Sequence, residues 1–223
     1  FWLGRYTERA ENATRLARIV LQSLHGEEEP SIGHLMWIGQ LAESAGLVPD
    51  DCPSPLDDRV EFERQLIGAL GDTEDTPSVG YTLRNLRQAG SALRERLSPE
   101  HWNFIKQAED TFLREARRLR DDGGQGADAL QQLAAVSRAL SAITGAQHDR
   151  MWRDDGWRLL SAGRQIERLT YLSEALSRGF YTNAVHDAAG FGVVLDLFDS
   201  TISFHARYQR SRAIAALIEH VVL

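Results

Sequence analysis

The sequence predicts an all-α, single-domain helical bundle of about seven or eight helices, with an internal repeat of its motif helix. Three observations carry this. Apolar residues recur at three and four along nearly the whole chain and not at two, so no strand is expected. Capping and breaking residues punctuate that pattern at helix-length intervals. A polar phrase, G-R-x-x-E-R, occurs near each end, as Gly4-Arg5-Tyr6-Thr7-Glu8-Arg9 and as Gly163-Arg164-Gln165-Ile166-Glu167-Arg168.

Residues 2–24 read as the first helix, with Trp2, Tyr6, Ala13, Leu16 and Val20 on the face of Arg9 and with Glu11, Arg15, Arg18 and Gln22 opposite. It ends near His25-Gly26, before the acidic run Glu27-Glu28-Glu29-Pro30, which reads as a solvated loop. A second helix over 32–45 carries Leu35, Trp37, Ile38, Leu41 and Ala42 and stops at Gly46. Residues 46–57, with Pro49, Pro53 and Pro55 among aspartates, read as irregular and as a candidate mobile flap. Asp57 or Asp58 caps a helix over 58–70 that Gly71 ends, and Thr76-Pro77 starts another running to 97. Ser98-Pro99-Glu100 opens a long helix through Arg120, on which Trp102, Ile105, Phe112 and Leu119 keep helical spacing. A glycine-rich turn follows over 121–126, and Asp128 caps a helix to 147. After a break at His148-Asp149, residues 154–178 carry the second phrase, with Trp157, Leu160, Tyr171, Leu172 and Ala175 around Arg168. Asn183 caps the last helical segment, which Gly190 and Gly192 interrupt.

The final arginine of each phrase falls where a core residue belongs. A guanidinium keeps its charge, and burying it unpaired costs several kcal/mol, so it must meet a carboxylate, a carbonyl or a bound anion. Arg9 and Arg168 are therefore expected to be largely buried and paired. Adjacent residues on a helix do not face each other, so Glu8 cannot serve Arg9. The expected arrangement is an exchange, with Glu8 serving the second phrase and Glu167 the first. Two readings stay open, an internal Arg–Glu staple and a shared polar pocket.

Composition narrows the function classes. The net charge of −7 disfavours nonspecific binding to a polyphosphate, so nucleic acid is not an expected partner. Cys52 is alone, which excludes an internal disulfide, and its Asp51-Cys52-Pro53 setting offers no base to make a thiolate. A reducing cytoplasm fits. No apolar run reaches the roughly 18 residues of a membrane helix, and no signal-peptide pattern opens the chain. Phe1 begins inside a helical pattern, so the natural protein is expected to start earlier.

The marks of a phosphate loop, a serine hydrolase elbow or a zinc site are missing, and no metal or cofactor is predicted. The glycines at 123–126 read as a linker. His148 with Asp149, Asp154 and Asp155 reads as capping and solvation. A third polar cluster, Asp196, Asp199, Ser200, Ser203, Arg207 and Arg210, falls on one helical face opposite Leu197, Phe198, Ile202 and Tyr208. If that face meets the motif helices, an anionic ligand would contact Arg5, Arg9, Arg164 and Arg168, with Asp199 and Arg207 from the third helix. Glu8 and Glu167 would orient those arginines or serve as catalytic general bases.

The stretch from Trp2 to Asn12, Met151-Trp152-Arg153-Asp154-Asp155-Gly156-Trp157 leading into the second phrase, and Asp199-Ser200-Thr201-Ile202 with Arg207-Tyr208 together resemble the bacterial alpha-E domain. That family is helical and is named for its Glu-Arg motif. The similarity spans nearly all of residues 1–223. Family members carry a few residues before the position of Trp2 and a further helical region after that of Leu223, so both ends of the domain are expected to be missing. The resemblance implies a circularly permuted ATP-grasp protein as partner, with a transglutaminase-like protein as a second candidate. ATP-grasp enzymes join carboxylates to amines, so the implied role is accessory or scaffolding work in making peptide-like amides. The alternatives are an enzyme of the same pathway acting on a peptide or acyl phosphate, and a purely structural interaction domain with buried Arg–Glu pairs.

Overall fold

A computed structural model describes residues 1–26, 29–74, 77–209 and 211–222. Among them are ten α-helices and no strand: α1 (Trp2–Leu24), α2 (Ile32–Ser44), α3 (Arg59–Ala69), α4 (Val79–Ser91), α5 (Pro99–Asp121), α6 (Gly126–Asp149), α7 (Asp155–Tyr181), α8 (Ala188–Leu197), α9 (Thr201–Tyr208) and α10 (Ile214–Val222). Short 3₁₀ turns at residues 94–96 and 184–186 join α4 to α5 and α7 to α8. None of the helices is long and apolar enough to cross a membrane.

The helix starts follow local chemistry. Ser31, Asp58, Ser78, Ser98, Asp154 and Asp187 each accept a hydrogen bond from the backbone N–H three residues on, satisfying a donor that has no partner inside its helix. Two starts before the C-terminal segment differ from expectation. Ser78 caps α4, and Thr76 lies outside the described residues, as do Glu27, Glu28 and Arg210. The sixth helix begins at Gly126, which leaves Asp128 in its first turn rather than at the cap.

The C-terminal segment departs most from the sequence reading, and it raises the helix number above seven or eight. It is divided at Asp199 and Gln209, both in the positive-φ region, and not at Gly190 or Gly192, which lie inside α8. Gly190 serves close packing instead, since a Cβ there would overlap the carbonyl of Ala184. Asn183 does not cap a long helix; it takes a left-handed turn into the 3₁₀ segment, and Asp187 caps α8. The proline-rich segment is no free flap, because Leu47, Val48 and Pro55 are buried and Pro55 packs on Gly39.

The first helix is the axis of the molecule. It packs most extensively on α7, α4 and α6 and also touches α2, α3 and α8. Its buried residues, among them Leu3, Ala10, Ala13, Leu16, Ala17, Val20 and Leu21, therefore cover most of its circumference. The one-sided stripe expected for it is corrected accordingly: Trp2 is exposed, while Glu11 and Arg15 make inter-helix contacts. Trp37 of α2 is wholly buried and donates its Nε1–H to the carbonyl of Ala175 in α7 at 3.1 Å, beside Gly179, where a Cβ would crowd the indole.

Histidine burial gives the fold a pH dependence. His101, in the first turn of α5, is buried with Nε2 unpartnered, and burial, reinforced by the nearby Arg150, pushes its imidazole down to about 4. Burial lowers His34 as well. The unfolded chain takes up these protons near 6.5 while folded His101 resists until about 4, so stability should fall as pH drops through that window and level off below it. Thermal melts of the unsubstituted protein and of His101→Leu should diverge in slope between those pH values, the variant being flatter. Equal slopes would contradict the assignment.

Candidate functional site: the crossed Glu-Arg helices

The two phrases meet where α1 and α7 cross. Phe1 and Gly4 lie against Leu160 and Gly163, and Asn12 and Ala13 face Thr170 and Tyr171 across one cleft, so the two helices run in the same direction. A Cβ on Gly4 would overlap the backbone carbonyl of Leu160, and a Cβ on Gly163 that of Phe1. Each phrase thus places its glycine against the backbone three residues before the other's glycine. Only a hydrogen side chain permits this approach.

The close crossing lets the charged residues exchange. Glu8 Oε1 accepts from Arg168 Nε at 2.8 Å, and Glu8 Oε2 accepts from Arg164 Nε at 3.1 Å and Nη2 at 3.0 Å. Reciprocally, Glu167 accepts from Arg5 Nε at 2.7 Å through Oε2 and from Arg9 Nε through Oε1. The expected exchange is what the structure holds. The expected burial is not: the side chains of Arg9 and Arg168 are 38% and 50% exposed, and the buried guanidinium is that of Arg164, at 9%. The physical reason is the crossing itself, which brings the glycine, first-arginine and glutamate edge of each helix to the contact and leaves the last arginine at its rim. Of the aromatic residues expected in the core, Trp2 is exposed and Tyr6 is half-buried against the core, and both carry arginines at that rim. Arg5 lies over Trp2 and Arg9 over Tyr6, with 5.1 and 5.6 Å to the ring centroids.

Two clefts flank the crossed pair. The larger, of about 630 Å³, lies between α1, α6, α7, the α8–α9 turn and α10, and Glu8, Glu11, Arg15, Arg164, Arg168 and Asp199 supply its charges. The smaller, of about 290 Å³, is lined by Arg9 and Glu167 with Tyr81, Tyr171 and Glu174. Of the predicted ligand residues, Arg164, Arg168 and Asp199 therefore share one cleft, Arg9 lines the other, and Arg5 lines neither. Arg207 is placed elsewhere: it pairs with Glu219 of α10 at 2.6 Å and stacks on Tyr208. The polar stripe of the third cluster likewise breaks up, with Asp196 accepting from Thr201 and Ser203 bonding His220.

Glu11 and Arg15 were missed by the one-face reading of α1, although Glu11 lies three residues from Glu8, on the same side of a helix. Glu11 bonds Arg164 Nη2 at 3.0 Å and the Thr144 hydroxyl, and burial raises its carboxyl above the ordinary range despite Arg164. Arg15 donates to the carbonyl of Leu197 at the end of α8, at 2.9 Å. Both oxygens of Glu8 and of Glu167 accept hydrogen bonds from arginines of the opposite phrase. Asp154 caps α7 and pairs with Arg96, and among the described residues no group of three or more His, Cys, Asp or Glu side chains is placed to hold a metal ion. Cys52 is no nucleophile candidate, since burial pushes its thiol up to about 11.

A helical bundle whose axial pair is joined by reciprocal Glu-Arg bonds defines a helical domain of the ER-motif class. The chain belongs to the Alpha-E family, described as a predicted alpha-helical domain with a conserved ER motif, whose family model matches residues 1–223. It is 26% identical to uncharacterized protein Rv2567 of Mycobacterium tuberculosis and to uncharacterized protein Mb2597 of Mycobacterium bovis, each match covering 98% of this chain and 26% of the relative. The chain thus spans about a quarter of the length of these curated relatives. No solved structure matches it.

Proposed function

We propose that the chain is an accessory domain that docks a circularly permuted ATP-grasp amide ligase and works with it in making or modifying peptide-like amides. The observation that supports this reading best is the outer face of α7, where Leu159 and Ile166 stand exposed two turns apart on the motif helix itself, with Leu169 exposed beside them at the edge of the larger cleft. The Glu-Arg bonds tie that helix to α1, the axis of the bundle. Membership of the Alpha-E family and the greater length of the relatives are consistent with a domain that acts beside others. A transglutaminase-like protein is a second partner within the same reading, and an ATP-dependent partner sets the complex in the cytoplasm.

Co-purification from the native host tests the proposal. The unsubstituted protein should bring down an ATP-grasp ligase, and Leu159→Glu with Ile166→Glu should lose it while keeping the same circular dichroism and melting temperature. Recovery of no ligase, or retention of it by the double variant, would overturn the reading. The polar cleft favours a second reading, an enzyme of the same pathway acting on a peptide or acyl phosphate. Glu11, with its proton affinity raised by burial, would then be the acid–base group in place of Glu8 or Glu167.

A further inference from the structure

We infer that the larger cleft is a binding site for a small zwitterion, an amino acid or short peptide, whose carboxylate meets Arg164 and Arg168 and whose ammonium meets Asp199. Four observations carry this. The volume of about 630 Å³ lies within the range of ligand sites, roughly 300–1,000 Å³. Arg164 is nine-tenths buried on this cleft, and its Nη1 has no acceptor among the described residues although its Nε and Nη2 are fully used by Glu8 and Glu11. A buried guanidinium N–H without an acceptor is costly, and although Nη1 itself is closed to solvent behind the cleft wall, a ligand carboxylate that displaces that wall supplies an acceptor in a charge-assisted bond. A second buried group on the same wall, the Thr14 hydroxyl, is also unpartnered.

The fourth observation is Asp199. It lines the cleft, exposed to solvent, in the positive-φ conformation that non-glycine residues seldom adopt, and its carboxylate has no ion-pair partner among the described residues. The free anionic and cationic valences thus sit in one cavity. The charge balance selects the ligand class. Three guanidinium groups, of Arg15, Arg164 and Arg168, stand with three carboxylates, of Glu8, Glu11 and Asp199. A free phosphate dianion would face all three carboxylates, whereas a zwitterion offers each sign its complement.

The inference concerns the isolated protein and stands or falls separately from ligase docking, so no partner is present in its test. Calorimetric titration with alanine, dialanine and trialanine should show saturable binding at millimolar concentration or tighter for at least one of them. N-acetyl-dialanine and dialanine amide, each lacking one charge, should bind about tenfold or more weakly than dialanine. Asparagine tolerates the left-handed conformation, so Asp199→Asn should fold normally, lose affinity for dialanine to a similar extent and cease to distinguish it from the N-acetyl form. Absence of saturable binding by all three zwitterions, equal binding of the N-acetyl form by the unsubstituted protein, or tighter binding of inorganic phosphate would each overturn the inference.

Discussion

Gly4→Ala is expected to lower stability by about 3 kcal/mol or more, and with it the melting temperature by roughly 10 °C, even though alanine is intrinsically the better helix former by about 1 kcal/mol. The added methyl has nowhere to go. It would sit 2.9 Å from the carbonyl carbon of Leu160 and closer still to its oxygen, and backbone cannot move aside as a side-chain tip does. The α1–α7 crossing must open, and opening it lengthens every Glu-Arg bond beyond it. Gly163→Ala should behave alike, because its methyl meets the carbonyl of Phe1. The two substitutions act on one crossing, so their combination should cost less than the sum. Gly145, inside α6 with nothing within 4 Å of the added carbon, is the control, and Gly145→Ala should stabilise by up to about 1 kcal/mol. Denaturant unfolding of the three variants checks the order, and a neutral Gly4→Ala would show that the helices do not approach as described.

Glu8→Ala should be nearly as damaging, at about 3–5 kcal/mol, since it strips the buried Arg164 of its principal acceptor and leaves a charge in a desolvated place. Glu167→Ala should cost clearly less. Its partners Arg5 and Arg9 are 21% and 38% exposed, so water can replace the lost carboxylate. Replacing both members, as Glu8→Leu with Arg164→Met, should recover much of the loss, because a well-packed apolar pair is close in energy to a buried ion pair. A Glu167→Ala variant less stable than Glu8→Ala would mean that the second phrase, not the first, holds the buried side of the network.

The helical class was legible because three-four spacing and capping residues are local signals, and most caps stand where the side-chain chemistry put them, at Asp58 and Ser98 for example. The exchange of glutamates was legible too, since neighbours on a helix cannot meet and the phrase occurs twice. The burial of its members was not. A stripe drawn on one helix assumes one-sided packing, and α1 is surrounded, so Trp2 looked like core while Glu11 and Arg15 looked like surface. The close approach at Gly4 and Gly163 is a property of two helices together, and it moves the contact edge toward Arg164. The cleft depends on turns at Asp199 and Gln209 whose positive φ has no glycine to announce it. Arg207 pairs with Glu219, and Asp199 alone of the predicted third-helix pair lines the cleft.

The most direct measurement of reciprocal stapling is a pair of double-mutant cycles on unfolding free energy, one between Glu8 and Arg168 and one between Glu8 and Arg9, each arginine replaced by Met and Glu8 by Gln. The crossed pair, bonded at 2.8 Å between phrases, should show a coupling of about 1–3 kcal/mol, and the pair adjacent within one phrase should be additive to within about 0.5 kcal/mol. Coupling confined to Glu8 and Arg9, or additivity in both cycles, would contradict the exchange.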